Sequence, residues 1–258
     1  GGTVTEAPRA GNPRPRVLRA VRERGLINAL GFPGKGLDMA SRRLRNSRRS
    51  AETPRMISVS GTTIDEIVRC HRRMEPLADA IEINISSPNT AGLRVFQEAD
   101  ALTDLLGRVN EERRKPLFVK MPPYGGASAG RASAAESQDR VLGLARVCVS
   151  EGVEALTVSN TRPVEDARLA VGAGGLSGKP IFQDMLRMVR EVKAEVGDRT
   201  AINACGGIFT GEDAWDALQA GATTVQLLTG LIYRGPGIVK LINRELLLQM
   251  ELAGLDAL

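Results

Sequence analysis

The chain has 258 residues, of which 42% are hydrophobic and 25% charged, a composition typical of a soluble globular protein with room for one large α/β domain. The formal net charge of +5 favours anionic small molecules or an anionic surface as partners, whereas the 3% aromatic content argues against nucleic-acid binding by base stacking. Three scattered cysteines and one histidine exclude a disulfide framework and a zinc site.

Two features of the amino-terminal part stand out. No apolar run is long enough to span a bilayer. The chain starts with neither a signal peptide nor a methionine, so we expect it to begin in mid-protein. Residues 42–49 form a concentrated basic run. This run is either a solvated helix face or loop, or a patch for nucleic acid or anionic lipid.

Apolar runs then alternate with amphipathic stripes, which is the pattern of repeated βα units. A Thr-Ile-Asp-Glu capping box opens the first helix. Gly197 and Gly221 are predicted to end the last two helices, because glycine readily adopts a left-handed conformation. In chain order, strands are predicted at 55–60, 78–85, 116–121, 154–159, 200–204 and 223–228, and helical stripes at 63–74, 102–109, 141–148, 185–196 and 214–218.

Polar clusters follow many different strands, and this separates the two architectures that βα repeats can build. A doubly wound sheet concentrates glycines after its first strand, whereas a (β/α)₈ barrel places its site at the ends of successive strands. Only six strands are clear, so we predict a single barrel domain over residues 1–258 that is incomplete at its amino end. The first strand and most of the second, which would end near Thr3, would lie upstream of residue 1.

The loop at residues 84–94 carries the strongest chemical signal. Two amides, Asn84 and Asn89, and two serines converge where a predicted strand opens into a loop. Amides both donate and accept hydrogen bonds and suit a planar, imide-like ligand, while a serine between them could remove a proton from it. Asn28, Asn160 and Thr161 are turn formers when taken singly, but jointly with the loop amides they indicate a pocket for a pyrimidine-like ring.

Three further features point to a ligand or to packing. The turns Gly206-Gly207 and Thr229-Gly230 follow the last two strands, where barrels commonly bind a phosphate, although glycine also serves simple tight turns. Lys120 ends a buried strand and is predicted to face an anion such as reduced flavin, or else to extend its ammonium into solvent. The segment 125–137 is predicted to be a loop that could cover the site, His71 a partly buried helix residue, and Cys205 a small core residue.

Nearly the whole chain resembles the dihydroorotate dehydrogenases. The resemblance implies an FMN-dependent oxidation of dihydroorotate to orotate in pyrimidine synthesis, with Ser87 as the base at C5 and hydride transfer from C6 to N5 of FMN. The matching blocks are residues 26–32, 84–94, 159–161, 174–180, 206–208 and 221–222. The implied substrate-binding residues are Asn28, Phe32, Asn84, Asn89, Asn160 and Thr161. The implied flavin-binding residues are Thr3, Asn84, Lys120, Ser159, Gly178, Gly207, Leu228 and Thr229.

The resemblance combines two branches of the family. The serine at the base position resembles that of class 2 members. This resemblance implies a quinone acceptor. It also implies peripheral contact with the cytoplasmic side of the inner membrane through segments upstream of residue 1. Residues 57–61 and 119–124 resemble the soluble, cytoplasmic class 1. Leu228, Ala29 and Ser159 replace the tyrosine, arginine and threonine usual in class 2.

Two other functions stay open at this point. The chain could be a related flavin barrel that acts on another dihydropyrimidine, because Ala29 removes an arginine that could meet a substrate carboxylate. It could also be a non-catalytic fragment that binds a partner through the basic run at 42–49. A barrel without its first strand exposes edges, so we expect residues 1–258 alone to fold poorly or to bind FMN weakly.

Overall fold

The computed structural model describes residues 2–47, 52–86, 93–124 and 134–255. Its strands are β1 Val17–Ala20, β2 Gly25–Asn28, β3 Met56–Val59, β4 Ala80–Asn84, β5 Leu117–Lys120, β6 Ala155–Val158, β7 Arg162–Glu165, β8 Ala173–Gly178, β9 Ala201–Cys205 and β10 Thr224–Gln226. Its helices are α1 Gly36–Asn46, α2 Ile64–Met74, α3 Ala99–Asn110, α4 Ala134–Ser150, α5 Phe182–Val196, α6 Gly211–Gln219, α7 Thr229–Arg234 and α8 Ile238–Leu252.

A six-stranded parallel sheet forms the body of the molecule, in the order β10-β9-β6-β5-β4-β3. All six predicted strands are confirmed. Val4 adds a further parallel bridge at the free edge of β3, where its amide donates to the Ser58 carbonyl at 2.8 Å and its carbonyl accepts from Ser60 at 3.0 Å. The sheet curls into a partial barrel, which confirms the prediction of an incomplete (β/α)₈ fold.

Helices follow the strands as the amphipathic stripes predict. The capping box is confirmed at α2, where the Thr63 hydroxyl accepts from the Glu66 amide at 3.2 Å. Helix α5 ends at Gly197, which has φ +63°, and Gly221 follows α6 with φ +108°. The predicted loop at 125–137 is wrong over its last four residues, because α4 begins at Ala134; residues 125–133 lie outside the described part of the chain.

The two faces of the parallel sheet differ in polarity. Side chains alternate along a strand, and one set of apolar side chains packs with helices α2 to α6 in a single core. The other set, which faces the barrel interior, includes polar side chains on β4, β6, β9 and β10: Glu82, Thr157, Asn203 and Gln226. The barrel interior is therefore a polar space enclosed by apolar walls.

The single histidine and two of the cysteines belong to the core. His71 on α2 has 2% of its surface exposed, and Cys70 and Cys148 have none. The basic run is partly described: Arg42, Arg43 and Arg45 are exposed on α1, as a solvated helix face requires. Among the described residues, no helix is both long enough and apolar enough to cross a membrane.

A second, antiparallel sheet was not predicted. Its strands have the order β1-β2-β8-β7. Strand β8 reads Ala-Gly-Gly-Leu-Ser-Gly and so lacks the apolar alternation that marks a strand in sequence. This sheet brings Asn28, at the end of β2, and Gly175 on β8 into register beside the barrel mouth.

Candidate active site

One pocket opens where the carboxyl ends of the barrel strands meet the antiparallel sheet. Its walls come from the ends of β5, β6, β9 and β10, and from β2 and β8. This is the end of a barrel at which barrel enzymes bind their substrates. Nine of the predicted site residues line it: Asn28, Lys120, Ser159, Asn160, Thr161, Gly178, Gly207, Leu228 and Thr229.

Two glycine-containing turns, Gly206-Gly207 and Thr229-Gly230, line one part of the pocket. Gly206 and Gly207 have φ values of +146° and +75° in the turn after β9. A Cβ atom on Gly207 would come within 2.6 Å of Cβ of Phe182, so only glycine lets this turn pack against α5. Helix α7 begins at Thr229, and the first amides of a helix have no partner within that helix. Turns of this kind can supply main-chain donors to a phosphate group.

Lys120 supplies a cation on the pocket floor. Its Nζ lies 3.5 Å from Sγ of Cys205, which is a weak acceptor. Burial lowers the pKa of Lys120, but the Cys205 sulfur and the Glu82 carboxylate outweigh burial, so the net shift of the pKa is upward. Lys120 therefore stays protonated at neutral pH and can meet an anionic or carbonyl-rich ligand.

A hydrogen-bond network orders the start of the 84–94 loop. Oδ1 of Asn84 accepts from the amide and the hydroxyl of Ser86 at 3.1 and 2.9 Å. Nδ2 of Asn160 donates to the Ser86 carbonyl and hydroxyl at 3.2 and 2.7 Å, while its Oδ1 accepts from the Thr161 amide at 2.7 Å. These bonds join the ends of β4 and β6 and hold the backbone directly before Ser87, which with Asn89 lies outside the described residues.

Strand β8 approaches the site residues at van der Waals distance. A Cβ atom on Gly175 would lie 2.0 Å from Oγ1 of Thr161, and one on Gly174 would lie 2.7 Å from the Asn28 carbonyl. Nδ2 of Asn28 donates to the Gly175 carbonyl at 3.4 Å. Because these two glycines have no side chains, the antiparallel sheet packs closely against Asn28 and Thr161, which line the pocket.

Three predicted residues do not line this pocket. Asn84 is buried, with Nδ2 3.5 Å from the Thr3 hydroxyl, which itself pairs with Ser58 at 3.1 Å. Phe32 packs against the core with φ +55°, a left-handed conformation that is rare for an aromatic residue. The ligand contacts implied for Thr3, Phe32 and Asn84 stay predictions.

Sequence reasoning missed several lining residues. Cys205 was expected in the core, but it is partly exposed and lines the pocket beside Lys120, because alternation along β9 turns it to the same face as Asn203. Ser177 and Gln226 also line the pocket, and the Ser177 hydroxyl lies 2.9 Å from that of Thr229. Strand alternation could have found Cys205 and Gln226, whereas Ser177 gave no signal because β8 was not recognised.

A barrel with a cation and amide-rich glycine turns at the carboxyl ends of its strands has the architecture of a barrel enzyme that binds a phosphorylated ligand. The family model described as dihydroorotate dehydrogenase matches residues 1–250. The chain therefore belongs to the dihydroorotate dehydrogenase family.

Individual relatives agree with the family match. The dihydroorotate dehydrogenase (quinone) of Thermus thermophilus is 36% identical over all of this chain and 74% of its own length. That of Thermobifida fusca is 40% identical over 91% of this chain and 65% of its own length. The crystal structure of DHODH from Eimeria tenella in complex with ferulenol has a TM-score of 0.83 and 29% identity, covering 98% of this chain and 74% of that one.

Proposed function

We propose that the pocket oxidises dihydroorotate to orotate in pyrimidine biosynthesis, with FMN as cofactor and a quinone as electron acceptor. The observation that carries the proposal is the convergence of Lys120, the Asn160 amide and two glycine turns in one pocket of a chain whose relatives are quinone-dependent dihydroorotate dehydrogenases. The oxidoreductase class follows from family membership.

The pocket residues fit FMN. Among the described residues, the hydrogen-bond partner of the Lys120 ammonium is a thiol sulfur at 3.5 Å, so the ammonium has hydrogen-bonding capacity left for a ring carbonyl. The amides at Gly206-Gly207 and Thr229-Gly230 suit the phosphate. When bound, FMN supplies the two-electron acceptor for the hydride that leaves C6 of dihydroorotate. Residues proposed to hold it are Thr3, Asn84, Lys120, Ser159, Gly178, Gly207, Leu228 and Thr229.

The remaining chemistry belongs to the chain's own side chains. Ser87 takes the proton from C5, so that loss of this proton and of the C6 hydride leaves the C5–C6 double bond of orotate. The network of Asn84, Ser86 and Asn160 supports Ser87 by holding the backbone immediately before it. Residues proposed to border the substrate are Asn28, Phe32, Asn84, Asn89, Asn160 and Thr161.

We further propose that residues 1–258 form a single FMN-binding barrel domain that works at the cytoplasmic side of the inner membrane. A quinone acceptor supports this location, because quinones are dissolved in the bilayer. Membrane contact is proposed to be peripheral.

The reaction is tested by mixing the purified protein anaerobically with dihydroorotate while the visible absorbance of the flavin is followed. Bleaching, with recovery on adding a quinone, is expected. Bleaching by dihydrouracil but not by dihydroorotate would instead support the related dihydropyrimidine oxidoreductase. Ala29 favours that alternative, because it is completely buried and offers no cation to the carboxylate of dihydroorotate. A protein that takes up no flavin even from an excess of FMN would contradict both and support the non-catalytic fragment.

A further inference from the structure

A chain of hydrogen bonds crosses the barrel interior beneath the pocket. Oε2 of Glu82 accepts from the Thr157 hydroxyl at 2.8 Å, and the Thr157 oxygen accepts from Nδ2 of Asn203 at 3.1 Å. The same Nδ2 donates to Oε1 of Gln226 at 3.0 Å, and Oδ1 of Asn203 accepts from the Thr224 hydroxyl at 3.0 Å. Four strands, β4, β6, β9 and β10, are connected in this way.

The direction of these bonds shows that Oε2 of Glu82 acts as an acceptor. An amide nitrogen only donates, so the Thr157 oxygen must accept from Asn203. The single hydroxyl proton of Thr157 then points to Glu82. Glu82 is 3% exposed, so a negative charge on it lies in a region of low dielectric constant, where it is costly unless a cation compensates it.

Lys120 is the cation placed to provide that compensation. In the sheet register, Asn84 is opposite Lys120, and Glu82 lies two residues before Asn84 on the same face of β4. Thr157, the hydrogen-bond donor to Glu82, is opposite Lys120 on β6. Two titratable groups on other strands of the sheet raise the pKa of Lys120: Cys205 on β9, which has the larger effect, and Glu82 on β4.

No direct ion pair joins Lys120 to Glu82 among the ion pairs of the described residues, so their interaction acts through space within the barrel. Coulomb interactions are stronger where the dielectric constant is lower. Inside the barrel, the attraction between the two charges therefore acts over a distance longer than a hydrogen bond. Lys120 thus remains free to present its ammonium upward to a ligand while Glu82 balances its charge from below.

We propose that Glu82 is a positioning residue that holds Lys120 as a cation at the floor of the flavin pocket. The assignment of the ligand as a flavin rests on the proposed function. Glu82 does not line the pocket; it keeps the lysine charged through space, while hydrogen bonds in the Thr157 and Asn203 network hold the Glu82 carboxylate in place.

The test measures FMN affinity against pH, from the quenching of FMN fluorescence between pH 7 and pH 10, in the parent protein and in Glu82→Gln. Without Glu82, only Cys205 opposes the effect of burial, so the pKa of Lys120 falls and the lysine is expected to lose its proton at a lower pH than in the parent. The dissociation constant of Glu82→Gln is expected to rise at least about tenfold more than that of the parent over this interval, the effect of one pKa unit. Parallel profiles for the two proteins would overturn the proposal.

Three control variants separate charge from other effects. Glu82→Asp retains a carboxylate and is expected to recover the parent profile. Thr157→Val removes the hydrogen bond to Glu82 but keeps the charge, so its profile should stay closer to the parent than that of Glu82→Gln. Cys205→Ser removes the other titratable neighbour; if Cys205→Ser weakens FMN binding at high pH while Glu82→Gln keeps the parent profile, the thiol rather than Glu82 controls Lys120.

If Glu82→Gln misfolds, a double variant identifies the cause. If an uncompensated Lys120 is the cause, the double variant Glu82→Gln/Lys120→Met folds, whereas a double variant that also fails to fold contradicts the charge-balance role. FMN binding needs no substrate. Failure of dihydroorotate to bleach the flavin, together with the expected pH dependence, would therefore reject the proposed function and leave the role of Glu82 standing.

Discussion

The two sheets of this molecule contribute to the pocket in different ways. The parallel sheet carries charge and hydrogen-bonding side chains at its strand ends, among them Lys120 and Asn160. The antiparallel sheet contributes to the shape of the pocket, because its backbone at Gly174 and Gly175 packs directly against Asn28 and Thr161. Substitutions after the parallel strands should therefore alter chemistry while the fold persists, whereas substitutions in the glycine strand should alter shape and stability.

The largest effect is expected from Ser87→Ala, in the loop after β4. Loss of a positioned base should lower the rate of flavin reduction by dihydroorotate by roughly 10² to 10⁴-fold. FMN content should stay normal, since the proposed flavin contacts do not include Ser87. Stopped-flow absorbance gives the rate and the protein's visible spectrum gives the flavin content; an unchanged rate would remove Ser87 from the mechanism.

Gly175→Ala tests the antiparallel side of the comparison. The new Cβ would lie 2.0 Å from Oγ1 of Thr161, so strand β8 must shift. Overpacking of this kind costs about 1–3 kcal/mol of unfolding free energy, and orotate affinity should fall with it because Thr161 moves. Urea denaturation and orotate titration measure the two effects.

Gly107→Ala is the matched control for that substitution. Gly107 lies inside α3, and a Cβ there meets nothing within 4 Å. The same change should therefore raise stability by about 1 kcal/mol through helix propensity and leave orotate affinity unchanged. Equal losses in both variants would refute the role assigned to close backbone approach.

A smaller effect is expected from Thr63→Ala at the start of α2. This change removes the hydroxyl that accepts from the Glu66 amide and should cost about 1 kcal/mol of stability. Flavin reduction should be unaffected, because α2 lies on the outer side of the barrel. Thr63→Ser retains the cap and should restore most of the stability; a loss of the same size in both variants would exclude capping as the cause.

The smallest effect concerns His71. Burial lowers its pKa below the usual 6.5, more than the neighbouring Glu75 raises it. The unfolded chain therefore binds a proton more readily than the folded one, and stability should fall as the pH drops below about 6.5 toward the folded-state pKa. One such group can change stability by no more than about 1.4 kcal/mol per pH unit.

Urea denaturation between pH 7.5 and pH 5.5 measures this dependence. His71 is the single histidine of the chain, so His71→Gln should flatten the profile in this window. A profile with the same slope in the parent and in His71→Gln would assign the dependence to carboxylates instead.

Local patterns were sufficient where a residue's environment depends on its own neighbours in sequence. The six parallel strands were predicted because their apolar runs are bounded by turn residues, and α2 because Thr63 and Glu66 stand three residues apart. Lys120, Asn160 and the glycine turns were recognised as site candidates because the carboxyl ends of parallel strands converge at one end of a barrel.

Other features depended on partners distant in sequence. Strand β8 is a strand because Gly175 and Ser177 pair with Asn28 and Leu26, about 150 positions away, and no local pattern reports that pairing. Cys205 was expected in the core because its neighbours are apolar, but the barrel turns it toward Lys120. The network from Glu82 to Gln226 likewise joins four strands whose spacing along the chain gives no sign of contact.

The sequence by itself determined the βα repeat, the barrel class, the family and most of the candidate residues, because each depends on short-range periodicity or on contiguous motifs. Only the tertiary structure decided which glycines allow the antiparallel sheet to pack against the pocket. It also decided that the buried carboxylate of Glu82 lies within the barrel beneath Lys120. Those relations are set by closure of the sheet into a barrel, which brings side chains together by strand order and register rather than by their order along the chain.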